Sequence, residues 1–204
     1  MAVDTPYAPL RQAGEADQQA VVDVLTEAFT DDPVVRWLFP GLAERGRLQE
    51  RYYRALITRP TVETYLVGDR DGAAVWLTVA AGETPHEEHP DVDLTAIFGE
   101  GGARLRALGQ ALAGRYPDRE PHRYLSCMGV VGARQGAGLG SAMLRHGLTR
   151  AEGLPVYLEA SSPRSRALYA RHGFEDLGEP VQVADSPLLW PMWHRPETQG
   201  KETR

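Results

Sequence analysis

The sequence predicts an α/β fold, a mixed β-sheet of about seven strands flanked by helices. Three observations carry that expectation. Through the C-terminal half, β-rich runs alternate with stretches of helical spacing; in the N-terminal half a hairpin signal, Arg70-Asp71-Gly72, joins two further runs; and a glycine-rich turn separates an apolar strand from a helix.

The elements follow in chain order. A short extended start around Ala8 to Arg11 precedes Glu15 to Thr30, where Val21, Val24, Leu25, Ala28 and Phe29 fall at helical spacing. Asp31-Asp32-Pro33 breaks that helix, and Pro33 opens a second, short one at its first position with Asp32 as cap. Gly41 ends it. Arg45 to Thr58 reads as helix again, and Glu63 to Asp69 and Ala73 to Ala80 as the two strands of the hairpin. Ala81 to Asp93 is polar with two prolines, which predicts a surface loop before a helix over Ala103 to Arg115, closed by Tyr116-Pro117-Asp118-Arg119. The remainder alternates: strand His122 to Val131, helix Gly138 to Gly153, strand Pro155 to Ala160, helix Pro163 to His172, and strands starting at Gly173 and Leu188. No repeat or linker interrupts it. A single domain over residues 1–195 and a polar, disordered tail over 196–204 are expected.

Composition excludes several chemistries. An apolar share of 42% and a charged share of 25% describe an ordinary folded protein. The start Met1-Ala2-Val3-Asp4-Thr5-Pro6 has neither a basic nor an apolar leader region, and the apolar runs are short, so a cytoplasmic protein with no membrane partner is expected. A net charge of -6 offers no general basic field, which argues against nucleic acid as a partner. The only lysine is Lys201, in the polar tail. A P-loop lysine, a Schiff-base lysine and a desolvated lysine nucleophile are therefore absent from the fold. Cys127 is the only cysteine, so no internal disulfide can form. His86-Glu87-Glu88-His89 does not have the spacing of a helical His-Glu-x-x-His site, and its flanking prolines favour a solvated loop; no metal is expected.

Gln135-Gly136-Ala137-Gly138-Leu139-Gly140-Ser141 leaves a strand and opens a helix, so its backbone N–H groups and the helix dipole form an anion site. Spacing decides which phosphate compound suits it. A dinucleotide fingerprint needs a third glycine or alanine where this chain has Ser141 or Met143, and a Walker A turn needs a lysine between Gly140 and Ser141. Both fail. Downstream, Ser162 is a good N-cap, Pro163 fits the first helical position and Gly173 ends the helix. Ser162, Ser165, Arg166 and Tyr169 share one face of it.

The Gln-x-x-Gly-x-Gly loop resembles the pyrophosphate loop of the GNAT superfamily of N-acetyltransferases. The strand-Ser-x-Pro-Arg run from Val156 through Leu168-Tyr169 to His172-Gly173-Phe174 is similar to a second block of the same superfamily, in the same order. The resemblance extends to the puromycin N-acetyltransferase type, through Ala28-Phe29, Asp32-Pro33, Leu158-Glu159, Pro163-Arg164 and a last strand with Trp190-Pro191-Met192. It covers about Leu10 to Arg195 and is patchy between Ala81 and Glu120. Such relatives often carry asparagine at the place of Ser165 and proline at that of Ala167; a serine still donates one hydrogen bond.

The resemblance implies a GNAT fold with a central splayed pair of parallel strands, His122 to Val131 and Pro155 to Ala160, and acetyl-CoA as acetyl donor. It implies cofactor contacts from Met128, Gly129 and Val130, from Gln135, Gly136, Ala137, Gly138, Leu139, Gly140 and Ser141, and from Ser165. Acetyl passes directly to an amine of a small molecule, antibiotic-like or metabolic, with Tyr169 as general acid; a phenol near its ordinary pKa of about 10 keeps its proton at neutral pH. A protein amino group as acceptor, or a non-catalytic acyl-CoA-binding module, are the alternatives. The chain is expected as a monomer or homodimer.

From the residues, Glu159 is the leading candidate for a base, because alternation puts Tyr157, Glu159 and Ser161 on one side of their strand; an arginine partner is the other reading. Glu27, Asp31 and Asp32 are rivals, or hold a cationic substrate. Trp37 and Trp76 are candidate aromatic walls of the acceptor pocket, or else core. Cys127 is read as a small core residue rather than a nucleophile.

Overall fold

The computed structural model of the chain describes residues 9–86, 93–117 and 119–196. Its elements are β1 Leu10–Gln12, α1 Gln18–Phe29, α2 Pro33–Leu38, α3 Leu42–Ile57, β2 Val62–Val67, β3 Gly72–Val79, α4 Leu94–Phe98 and α5 Glu100–Ala113, followed by β4 His122–Val130, α6 Leu139–Arg150, β5 Val156–Ala160, α7 Pro163–Ala170, β6 Glu175–Asp176 and β7 Trp190–His194. The strands form one seven-stranded sheet in the order β1-β2-β3-β4-β5-β7-β6. All neighbours are antiparallel except β4 and β5, which run parallel as expected of the central pair.

Local chemistry sets the boundaries. Asp32 caps α2, its Oδ1 accepting from the backbone N–H groups of Val34 and Val35 at 2.9 and 3.2 Å, and Pro33 takes the first helical position. Such a cap stabilises a helix by about 1 kcal/mol. Ser162 caps α7 in the same manner. Chain reversal after α7 uses Gly173 at φ +83°, a left-handed conformation that costs glycine nothing sterically.

Period-two alternation distributes β3 between the helical layers on either face of the sheet. Val75 packs with Val21 and Leu25 of α1 and Tyr53 of α3, whereas Trp76 packs with Met143 and Leu144 of α6 and with Leu158 and Met192. Gly147 makes room for the indole, because a Cβ there would lie 2.0 Å from Trp76 Cζ2. Trp76 is therefore core and not a wall of the acceptor pocket.

Expectation and structure differ between β3 and β4. Residues 94–98 form a helix, capped by Asp93, and α5 starts at Glu100 rather than Ala103. The glycines that mask this helical start are required by close approach: a Cβ on Gly102 would sit 2.0 Å from the Leu94 carbonyl oxygen, and one on Gly101 2.7 Å from the Phe39 ring. α3 also begins earlier, with Gly41 as its N-cap. The tail beyond Pro196 lies outside the described residues, as do Glu87, Glu88 and His89. Among the described residues no helix is long and apolar enough to cross a membrane.

One irregularity positions the site. Val75 faces Cys127 and Trp76 faces Leu125, so Ser126 is an extra residue in β4. A bulge of this kind bends its strand and raises the local twist. Pairing between β4 and β5 stops at the same place, with Leu125 opposite Leu158. Beyond it the strands part.

Candidate active site

The opening between β4 and β5 belongs to a cavity of about 760 Å³. Its lining falls into two sets. One set is Met128, Gly129 and Val130 of β4, the loop residues Gln135, Gly136 and Gly138, the first turn of α6 from Leu139 to Ser141, and Ser162, Arg164, Ser165, Leu168 and Tyr169 at α7. The other comes from α2, α3 and α5, together with His86 and Leu189. Glu159 and Ser161, at the end of β5, line the same cavity.

The first set is built mostly from backbone. Gly136 and Gly138 have φ of +83° and +82°, which turns the chain sharply into α6. The first hydrogen bond of that helix is Ala142 N–H to the Gly138 carbonyl, 3.0 Å, so the N–H groups before it have no partner within the helix. They are a preformed anion site with the helix dipole behind it. Gln135 braces the loop: its Nε2 donates to the Val130 carbonyl at 3.1 Å, and its Oε1 accepts from Arg164 at 3.1 Å. From Ser126 onward β4 has no strand partner on its β5 side, which leaves main-chain groups free to pair with an extended ligand. The pyrophosphate and the amide-containing arm of acetyl-CoA suit these donors. Ala137 sits at the exposed tip of the loop and does not line the cavity. Ser165 does, but its hydroxyl is engaged within the cap of α7, donating to the Ser162 carbonyl at 2.9 Å and accepting from the Ser162 N–H at 3.1 Å.

Tyr169 is buried, 7% exposed, between the two sets and packs against Phe174. Burial pushes its phenol well above the ordinary value, with Cys127 and Asp32 adding to the effect. The hydroxyl therefore holds its proton far into the alkaline range.

Glu159 has partners that sequence spacing could not name. Its Oε1 lies 2.8 Å from His86 Nε2, and its Oε2 accepts from the Tyr124 hydroxyl at 2.7 Å. Among the described residues no arginine pairs with it; Arg123 is engaged by Glu63 and Thr78. His86 comes from the loop after β3, 73 positions away, and is held edge-on against the rings of Tyr116 and Tyr124. Its ring is thus fixed beside this carboxylate.

The remaining candidates are dispersed. Asp31 and Asp32 line the cavity, but both Asp32 oxygens are engaged: Oδ1 by the cap of α2, and Oδ2 by the Ser161 hydroxyl at 2.6 Å. Burial raises the Asp32 pKa against the lowering influence of those bonds. Glu27 is exposed on α1 and away from the lining. Trp37 also lies outside it, its indole N–H donating to Asp185 at 2.9 Å. Cys127 lines the cavity, and burial pushes its thiol up to about 12. A neutral thiol is a poor nucleophile.

The sequence matches the acetyltransferase (GNAT) family over residues 26–174, more than half of the chain. The chain belongs to that family and is an acetyltransferase. Among solved structures it is similar to one described as histone acetyltransferase HPA2 and related acetyltransferase from Corynebacterium glutamicum, at 29% identity and a TM-score of 0.70, covering 94% of this chain and 97% of that one. It shares its fold with arylalkylamine N-acetyltransferase 2 from Aedes aegypti, at 14% identity, TM-score 0.69 and coverage of 94% and 99%. The ribosomal-protein-S18-alanine N-acetyltransferase from Escherichia coli has the same fold at 14% identity, TM-score 0.56 and coverage of 96% and 98%.

Proposed function

We propose that this acetyltransferase uses acetyl-CoA to acetylate the amino group of a small molecule, by direct transfer within the cavity beside β4 and β5. The observation that carries the reading is Glu159, held between His86 and Tyr124 in the same cavity as Tyr169 and the open edge of β4. Acetyl-CoA, when bound, supplies the activated acetyl group and a thiolate leaving group.

The chain's residues then divide the work. The first-turn N–H groups of α6 and the loop bind pyrophosphate. A main-chain N–H in Met128 to Val130 polarises the acetyl carbonyl. The Glu159–His86 pair takes a proton from the ammonium form of the acceptor so that a neutral amine attacks, and the proton the nitrogen releases as the N–C bond forms replaces the one that Tyr169 gives up. Tyr169 gives its proton to the sulfur as the C–S bond breaks. Each proton thus has a donor and an acceptor, and no acetylated enzyme is needed.

The small-molecule acceptor is supported by the apolar wall of the second lining set, which includes Val34, Leu38, Leu108 and Leu112, and by the puromycin-type likeness in the motifs. Steady-state assays with acetyl-CoA should show N-acetylation of small primary amines with kcat/KM well above that for lysine-containing or free N-terminal peptides. Peptides acetylated faster than every small amine would instead favour the protein-directed alternative.

A further inference from the structure

Two buried polar side chains occupy one face of α3, a turn apart, and they are treated differently. Arg45 donates to the carbonyls of Phe39, Thr30 and Pro40, at 2.8 to 3.2 Å. Gln49 is 1% exposed, and neither its Nε2 nor its Oε1 has a hydrogen-bond partner among the described residues. Burying an amide this way is costly, because its bonds to water are given up and none replaces them. A leucine of similar volume would fill the position without that cost. Gln49 lines the cavity, beside the apolar wall from α2 and α5.

We infer that Gln49 is a specificity-determining residue, which pairs with a carboxamide carried by an acceptor amine of apolar body. The inference rests on the small-amine reading above and deepens it. A glutamine amide offers a donor and an acceptor together, and a carboxamide complements both at once. A carboxylate on the acceptor would satisfy the Gln49 N–H groups alone and set its own lone pairs against Oε1. It would also find no cation in the lining on this side: Arg134, Arg164 and Arg171 belong to the glycine-loop and α7 side, and the Arg45 guanidinium, a turn away on α3, lies outside the lining and is committed to three main-chain carbonyls. An amine without the extra group would fill the apolar wall and leave Gln49 unpaired.

Phenylalaninamide, phenethylamine and phenylalanine form a matched series. The wild-type chain and the variants Gln49→Leu and Gln49→Met are to be compared with acetyl-CoA as donor, thermal unfolding first establishing that each is folded. The preference for phenylalaninamide over phenethylamine, as a ratio of kcat/KM, should fall about tenfold or more in both variants, mainly through KM. Dividing the variant's ratio by that of the wild type removes the difference in basicity between the amines. Phenylalanine should be the poorest acceptor for wild type. An unchanged ratio in active variants, or phenylalanine surpassing its amide, overturns the role of Gln49 while leaving the acetyltransferase reading intact. Acetyl-CoA binding with no acetylation of any of the three overturns the apolar small-amine reading, and the role of Gln49 with it.

Discussion

The two halves of the cavity are built by different means. The half proposed for the acetyl donor is made of backbone: a glycine loop with positive φ at Gly136 and Gly138, the first turn of α6, and a strand edge released by the bulge at Ser126. The half proposed for the acceptor is made of side chains from elements far apart in sequence, with His86 meeting Glu159 across 73 positions and Asp32 meeting Ser161 across 129. Backbone sites tolerate sequence change except at glycines and caps, whereas a side-chain site is rewritten by single substitutions. The donor half should therefore respond to mutation through cofactor affinity, and the acceptor half through turnover and choice of amine.

The largest expected effect sits where the halves meet. Tyr169→Phe removes the proposed proton donor and keeps the ring that packs on Phe174, so kcat should fall by roughly 10²- to 10³-fold with acetyl-CoA binding changed only slightly. In wild type the raised phenol pKa has a sign that can be checked: the proton is retained as pH rises, so kcat should show no descending limb up to about pH 10. Comparable kcat in the Phe variant would dissolve the distinction at this position.

Next come the acceptor-side changes. Glu159→Gln and His86→Ala should each lower kcat/KM by about 10- to 100-fold near neutral pH. The deficit should shrink towards the pKa of the amine, where the acceptor is already neutral and needs no base. A deficit constant across pH would assign the pair to positioning instead.

On the donor side, Gly136→Val places a branched side chain at φ +83°, where L-residues are strained by roughly 1–2 kcal/mol. KM for acetyl-CoA should rise about tenfold, with kcat nearly unchanged. The smallest effect belongs to Cys127→Ala. With the thiol held near 12, activity should stay within about threefold of wild type, and thiol alkylation at neutral pH should be slow.

Legibility in the sequence followed the same division. Both ends of α7 and the start of α2 were readable because caps are local chemistry: Ser162, Asp32 and Pro33 declare themselves within three residues. The glycine loop was readable for the same reason, and the parallel pair through the family resemblance of the motifs beside it. Trp76 could not be assigned from its strand alone, since whether a face looks towards a pocket or towards α6 depends on Gly147 in a different element. α4 and the start of α5 were hidden because the purpose of Gly101 and Gly102, which let α5 approach Phe39 and Leu94, lies in contacts with other elements. Nothing local pointed to His86 as the partner of Glu159, and Gln49 looked like an ordinary helix residue until its burial was known. Ser165 shows the reverse hazard. Its position fits a cofactor contact, but its proton is spent within its own helix cap.

Direct transfer is the claim on which both halves depend, and a single turnover tests it. Enzyme in excess over acetyl-labelled acetyl-CoA is mixed with an acceptor amine and quenched over time. The label should pass into the N-acetylated amine as free thiol appears, with none retained on precipitated protein. Label accumulating on the protein before product, at Cys127 or elsewhere, would contradict the account, as would bound acetyl-CoA that never yields its acetyl group to an amine.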